Sequence, residues 1–204
     1  RCPLGGSVDE ARAKMKALFD QALRSPFPTA NPNRPLNRTA LYSTVISMMY
    51  RELYWTYLDQ GLSQLVEQNN GSIILGYYDL FEERQGNKFK SNGKEAFWAI
   101  NCADYVPSPR AEYQQYADKL RAEAPVFGSL MMEGTDICSL WPYHPKANPG
   151  PYEAKGSAPI VVIGTKYDPA TPYQWAQTLH KTLSNSVLLT WEGDGHTAYG
   201  KAGS

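Results

Sequence analysis

The stretch Ala158-Pro-Ile-Val-Val-Ile-Gly164 constrains the fold of this chain more than any other. It is short, continuous and β-branched, the pattern of a strand buried on both faces of a parallel sheet. A helix follows. Thr171 is suited to its N-cap, Pro172 to its first position and Gln174 to a capping box, while Trp175, Ala176, Leu179 and Leu183 form one apolar face. Ser186-Val-Leu-Leu-Thr-Trp191 then reads as a second strand, and Gly193-Asp-Gly-His196 as a tight loop after it. Strand, helix, strand is one right-handed βαβ unit. Two strands alone do not make a stable sheet with covered faces, so further strands are expected from elsewhere.

What precedes this unit is nearly all helical. Ser7 and Glu10 fit a capping box, and Val8, Ala11, Met15, Leu18, Phe19 and Ala22 recur at helical spacing until Ser25-Pro26. Pro26, Pro28, Pro32 and Pro35 dictate a loop. Residues 39–69 read as two helices or one bent helix ending at Asn69-Asn70-Gly71, and Ser72 is expected to cap another through about Glu83. A polar loop is expected at 85–93, with further helices at 94–103 and 110–124. Prolines and glycines between 142 and 157 separate the helices from the βαβ unit.

Composition excludes several functions. Lys and Arg total 20 against 20 for Asp and Glu, with no basic block, which argues against nucleic acid as a partner. No apolar run approaches the ~20 residues needed to span a bilayer. Cys2, Cys102 and Cys138 form no Cys-x-x-Cys pair, and His144, His180 and His196 lie far apart, so neither a metal site nor a cofactor is expected. Three cysteines allow one disulfide with a spare thiol, or none. With no export signal visible after Arg1, the chain is expected to be part of something longer.

The chemistry falls on Asp168 and His196, which follow the two strands at the carboxyl edge of the sheet, where ligands bind in open α/β sheets. A carboxylate there can fix the tautomer of an imidazole and stabilise its cation during acyl transfer. Taken singly, Asp168 also reads as a turn residue before Pro169, and His196 as a loop residue between glycines. Together they match the end of the Ser, Asp, His order of the α/β-hydrolase fold. The nucleophile is missing. Gly6-Ser7, Gly71-Ser72, Gly128-Ser129, Gly156-Ser157 and Gly203-Ser204 all lack the Gly-x-Ser-x-Gly pattern and a preceding buried strand. Neither Cys102 nor Cys138 stands on a strand-to-helix turn.

Cys2-Pro-Leu-Gly5, Ala99-Ile-Asn-Cys-Ala-Asp104, Pro125-Val-Phe-Gly128, Cys138-Ser-Leu-Trp-Pro142, Pro159-Ile-Val-Val-Ile-Gly164, Asp168-Pro-Ala-Thr-Pro-Tyr173 and Gly193-Asp-Gly-His-Thr197 occur in that order. Together they resemble the C-terminal half of secreted actinobacterial tripeptidyl aminopeptidases, serine exopeptidases of the α/β-hydrolase fold related to prolyl aminopeptidases. The resemblance implies an α/β class, with a helical cap over 1–155 and the last βαβ unit of the sheet over 156–204. It implies release of short peptides, tripeptides, from free amino termini through an acyl-enzyme. It also implies that the serine and the oxyanion hole lie on an absent N-terminal half, the chain's partner, which would leave this chain inactive by itself. A secreted or cell-envelope location follows, with a Cys102–Cys138 disulfide and a partner for Cys2 in the absent half. An exopeptidase must recognise an ammonium group, for which Asp104, Glu133 and Asp136 are candidates near the cap motifs, although each also reads as a solvated surface acid. Tyr50, Tyr54, Trp55, Tyr57, Tyr77, Tyr78 and Phe81 suit either core packing between helices or an apolar groove. The alternative function is a helical module that binds peptides without catalysis on a hydrolase-like scaffold.

Overall fold

The computed structural model describes residues 2–132 and 136–200. The chain forms two compact units, neither continuous in sequence: Pro3–Asp20 with Glu82–Gly150, and Gln21–Phe81 with the residues from Pro151 onward.

In the first unit, α1 (Val8–Arg24) begins where the sequence requires: the Ser7 hydroxyl accepts the Glu10 N–H at 3.2 Å, and the Glu10 carboxylate accepts the Gly6 N–H. The apolar stripe Met15, Leu18, Phe19 and Ala22 is buried, and Phe19 meets the edge of Phe127 at 5.7 Å. The stretch expected as a polar loop instead contains a hairpin, β1 (Arg84–Gln85) against β2 (Lys88–Phe89). Gly86, at φ 60°, supplies the left-handed turn residue that closes it. Two helices follow, α5 (Gly93–Asp104) and α6 (Arg110–Glu123), then the short α7 (Gly128–Met131) and a 3₁₀ turn at Ile137–Leu140. Periodicity could not register these last two because each is about one turn long. Cys102 on α5 is bonded to Cys138 in the 3₁₀ turn, and Cys2 is a free, exposed thiol.

In the second unit, the proline-rich loop is held by one antiparallel bridge between Phe27 and Leu36, both buried. Asn37 caps α2 (Arg38–Met49) by accepting the Ala40 N–H at 2.9 Å. After a 3₁₀ turn at Glu52–Tyr54, α3 (Trp55–Gln68) ends at Asn69, whose φ of 51° breaks the helix, and α4 (Ser72–Phe81) folds back against α2 and α3. Ser72 does not cap α4 with its hydroxyl, as expected from sequence, because that oxygen accepts the Ala30 N–H at 2.8 Å. The first amides of α4 go instead to side chains of the preceding segment, Ser72 N–H to Asn70 and Ile73 N–H to Gln64. Leu36, Leu41, Met48, Leu65 and Ile74 are fully covered here, each contributing about 1.5–3 kcal/mol by leaving water.

The βαβ unit completes it: β3 (Ile160–Tyr167), α8 (Tyr173–Thr182) and β4 (Ser186–Asp194), with β3 parallel to β4 from Ile160 opposite Ser186 to Thr165 opposite Trp191. A side chain on Gly164 would lie 2.8 Å from both Ala176 and the Tyr173 ring, so glycine there sets how closely α8 approaches β3. The strand expected to be buried on both faces is covered on one only. Val162 is buried under α8, whereas Val161, Ile163, Val187 and Leu189 are exposed, because nothing among the described residues covers them. Among the described residues no helix is long and apolar enough to cross a membrane.

Candidate active site

Asp168 follows β3 directly and is bent back by its own turn. Its carboxylate accepts the backbone N–H groups of Ala170 and Thr171 and the Thr171 hydroxyl, each at 2.8 Å, and the Thr197 N–H at 3.2 Å. The side chain is only 2% exposed. Burial by itself would push the carboxyl upward, but these donors outweigh it and bring its pKa from the ordinary 3.8 down to about 2. Asp168 is therefore a fixed anion at neutral pH. The expected capping role of Thr171 gives way to this bond: Pro172, in an extended conformation, is the residue before α8, leaving Thr171 one position too far out to cap the helix.

His196 follows β4, which runs three residues further than the pattern suggested and takes Gly193 into the strand. Only Gly195, at φ 85°, serves as a turning glycine. Gly193 has a different use, since any side chain there would collide with the Trp191 indole. The loop brings His196 Nδ1 to 3.1 Å from both Asp168 oxygens. An N–H at Nδ1 donates a hydrogen bond to the carboxylate, and in that tautomer the free lone pair of the ring falls on Nε2, which among the described residues has no hydrogen-bond partner. The imidazole is 31% exposed and borders a cleft of about 540 Å³ lined also by Arg51, Glu52, Trp191, Asp194 and Tyr199. An oriented, accessible base on a fixed anion can take a proton from a nucleophile and return it to a leaving group.

Asp104 is exposed at the end of α5, and Asp136 caps the 3₁₀ turn by accepting the Cys138 N–H at 2.9 Å; both belong to the first unit. Glu133 lies outside the described residues. His144 is exposed in the proline-rich segment, and His180 on α8 bonds the Ser186 hydroxyl at 2.8 Å. Of the aromatic group, Tyr54, Tyr57, Tyr77 and Phe81 pack together with centroids 5.5–6.2 Å apart, whereas Tyr50 lies against His196. The sequence reading missed the cleft residues Arg51 and Glu52, since nothing in their local pattern links them to a histidine more than a hundred residues away.

Residues 124–204 match the family model of TAP-like proteins, a group of α/β-hydrolases. This region belongs to the TAP-like family. Curated relatives resemble the chain over most of its length. Carboxylesterase B of Mycobacterium tuberculosis is 31% identical over 201 residues, 97% of this chain and 38% of that protein. Serine protease Hip1 of the same organism is 31% identical over 207 residues, 96% of this chain and 39% of that one. Tripeptidyl aminopeptidase of Streptomyces lividans is 22% identical over 151 residues, 74% of this chain and 28% of that enzyme. The chain thus spans less than two fifths of the length of the curated relatives it matches.

Proposed function

We propose that this chain supplies the acid and the base of a serine hydrolase, with His196 as general base and acid and Asp168 as the residue that orients it. The observation carrying this reading is the placement of His196 Nδ1 at 3.1 Å from both oxygens of a carboxylate held ionised by its own turn. The nucleophilic serine and the oxyanion hole are assigned to residues outside this sequence, on a segment that extends the sheet beyond β3 and β4 and covers their open face. In the reaction, Nε2 takes the serine proton as the oxygen attacks the scissile carbonyl. The imidazolium then protonates the leaving amine, and a second round with water frees the acyl group.

The proposed substrates are peptides with a free amino terminus, cut to release short peptides such as tripeptides. Support comes from the relatives named as a serine protease and a tripeptidyl aminopeptidase. Residues 1–155 would act as a cap, with Asp104, Glu133 and Asp136 as the carboxylates available to an ammonium group. The Cys102–Cys138 disulfide suits an oxidising location such as the cell envelope or the exterior. The relatives named carboxylesterase favour ester hydrolysis as a second reading.

The full-length protein decides between these readings. Turnover of a tripeptide p-nitroanilide that is lost on blocking its amino terminus supports exopeptidase action, whereas turnover confined to p-nitrophenyl esters supports an esterase. His196→Ala should reduce either activity by about 10³-fold or more. Replacing His144 or His180 by Ala should leave it within a few-fold. Full activity in His196→Ala would end the assignment of the base.

A further inference from the structure

His196 is held from a second side by a residue far away in sequence. Helix α2 ends at Met49 and Tyr50 is its C-cap, after which Arg51 turns to an extended conformation. The Tyr50 carbonyl is thereby directed out of the helix, and it accepts the backbone N–H of His196 at 2.8 Å. The Tyr50 ring lies on the imidazole, with centroids 4.9 Å apart and planes inclined by 61°. Both contacts fall within one compact unit.

The histidine loop needs such a hold. Its backbone is left-handed on both sides of His196, with Gly195 at φ 85° and Thr197 at φ 59°. Glycine adopts that region freely, but a β-branched threonine does so only under strain, which persists where surrounding bonds over-determine the conformation. Two bonds do this here: Thr197 N–H to Asp168, and His196 N–H to Tyr50. The first belongs to the βαβ unit; the second is its tie to the buried helix α2, where Thr44, Val45 and Met48 leave little room for movement.

We propose that Tyr50 is a positioning residue for His196. Its carbonyl fixes the histidine backbone, and its ring limits rotation of the imidazole so that Nδ1 stays on Asp168 and Nε2 stays turned to the cleft. The phenol hydroxyl has no hydrogen-bond partner among the described residues and is dispensable. The effect on turnover rests on the proposed hydrolase function, whereas the effect on the imidazole does not.

The test is made with Tyr50→Leu, which keeps bulk and loses the ring, and Tyr50→Phe, which keeps the ring. In the 204-residue chain, long-range 1H–15N correlation at alkaline pH reads which nitrogen of His196 carries the proton. Wild type and Tyr50→Phe should show the Nδ1–H tautomer alone, and Tyr50→Leu a mixture. In the full-length protein, Tyr50→Leu should lower kcat about tenfold, the upper range for an aromatic pair, with KM within twofold, and Tyr50→Phe should restore kcat. An unchanged tautomer in Tyr50→Leu, or a Phe variant that behaves like Leu, overturns the proposal. Should Tyr50→Leu fail to fold, hydrogen exchange of the wild type still reads the carbonyl bond: the His196 amide should exchange at least tenfold more slowly than that of Ala198, and exchange at the unprotected rate would refute it. Activity surviving in His196→Ala would count against the hydrolase reading while leaving the tautomer result standing.

Discussion

The turn that holds Asp168 makes a quantitative demand on how stability depends on pH. Three N–H groups, one hydroxyl and the imidazole converge on a carboxylate that is 2% exposed. They bring its pKa from 3.8 to about 2. A carboxyl depressed on folding binds its proton more readily in the unfolded chain, so its contribution is complete above the unfolded value and disappears as pH falls through the folded one. The gap corresponds to about 2 kcal/mol, present above pH ~4.5 and lost by pH ~2. Asp168→Asn cannot ionise and presents an NH2 group to donors that need an acceptor. Urea unfolding of the chain and of Asp168→Asn, followed by tryptophan fluorescence between pH 2 and 6, isolates this residue because the other carboxylates cancel in the difference. The variant should be the less stable at pH 6, and the difference should shrink by about 2 kcal/mol on acidification. A difference that stays constant across this range, or a folded-state Asp168 carboxyl that titrates near 3.8 by 13C NMR, would refute the reasoning.

Thr171→Val removes the hydroxyl donor to Asp168 while keeping the side-chain shape. It should raise the Asp168 midpoint and cost about 1 kcal/mol in the same urea assay, with the loss fading toward pH 2 as the carboxyl protonates. The Cys102–Cys138 bond joins residues 36 apart, so reducing it should destabilise the first unit by about 4 kcal/mol in the chain-entropy model. Thiol titration of the denatured chain, never exposed to reductant, should find one reactive thiol, Cys2; three would refute the pairing.

Periodicity of 3.6 residues made the longer helices legible, and short continuous apolar runs marked the two strands of the βαβ unit. The placement of Asp168 and His196 at neighbouring strand ends was legible for the same reason: parallel strands joined by one helix must present their carboxyl ends at one edge. What sequence could not convey was how local hydrogen bonds are shared out. Ser72 and Thr171 both look like helix caps, yet one hydroxyl goes to Ala30 and the other to Asp168. A hydroxyl beside a helix start has several possible partners within reach, and tertiary placement decides among them.

The hydrogen bonds around the histidine also separate two kinds of information. Those within the turn of Asp168 span two or three residues and follow from an Asx-type turn just ahead of Pro172, the residue before α8, so residue types suffice to suggest them. The bond from His196 to Tyr50 joins positions 146 apart through a backbone carbonyl, which every residue possesses, and no residue pattern can specify it. The left-handed Thr197 has the same character, since its conformation is imposed by the partners around it and runs against its own preference. The Asp168–His196 pair is thus written in residue types, whereas the frame that holds the imidazole at a fixed angle is written in the fold. Substitutions along α2 that shift its last turn should accordingly disturb His196 without touching any residue a sequence motif would mark.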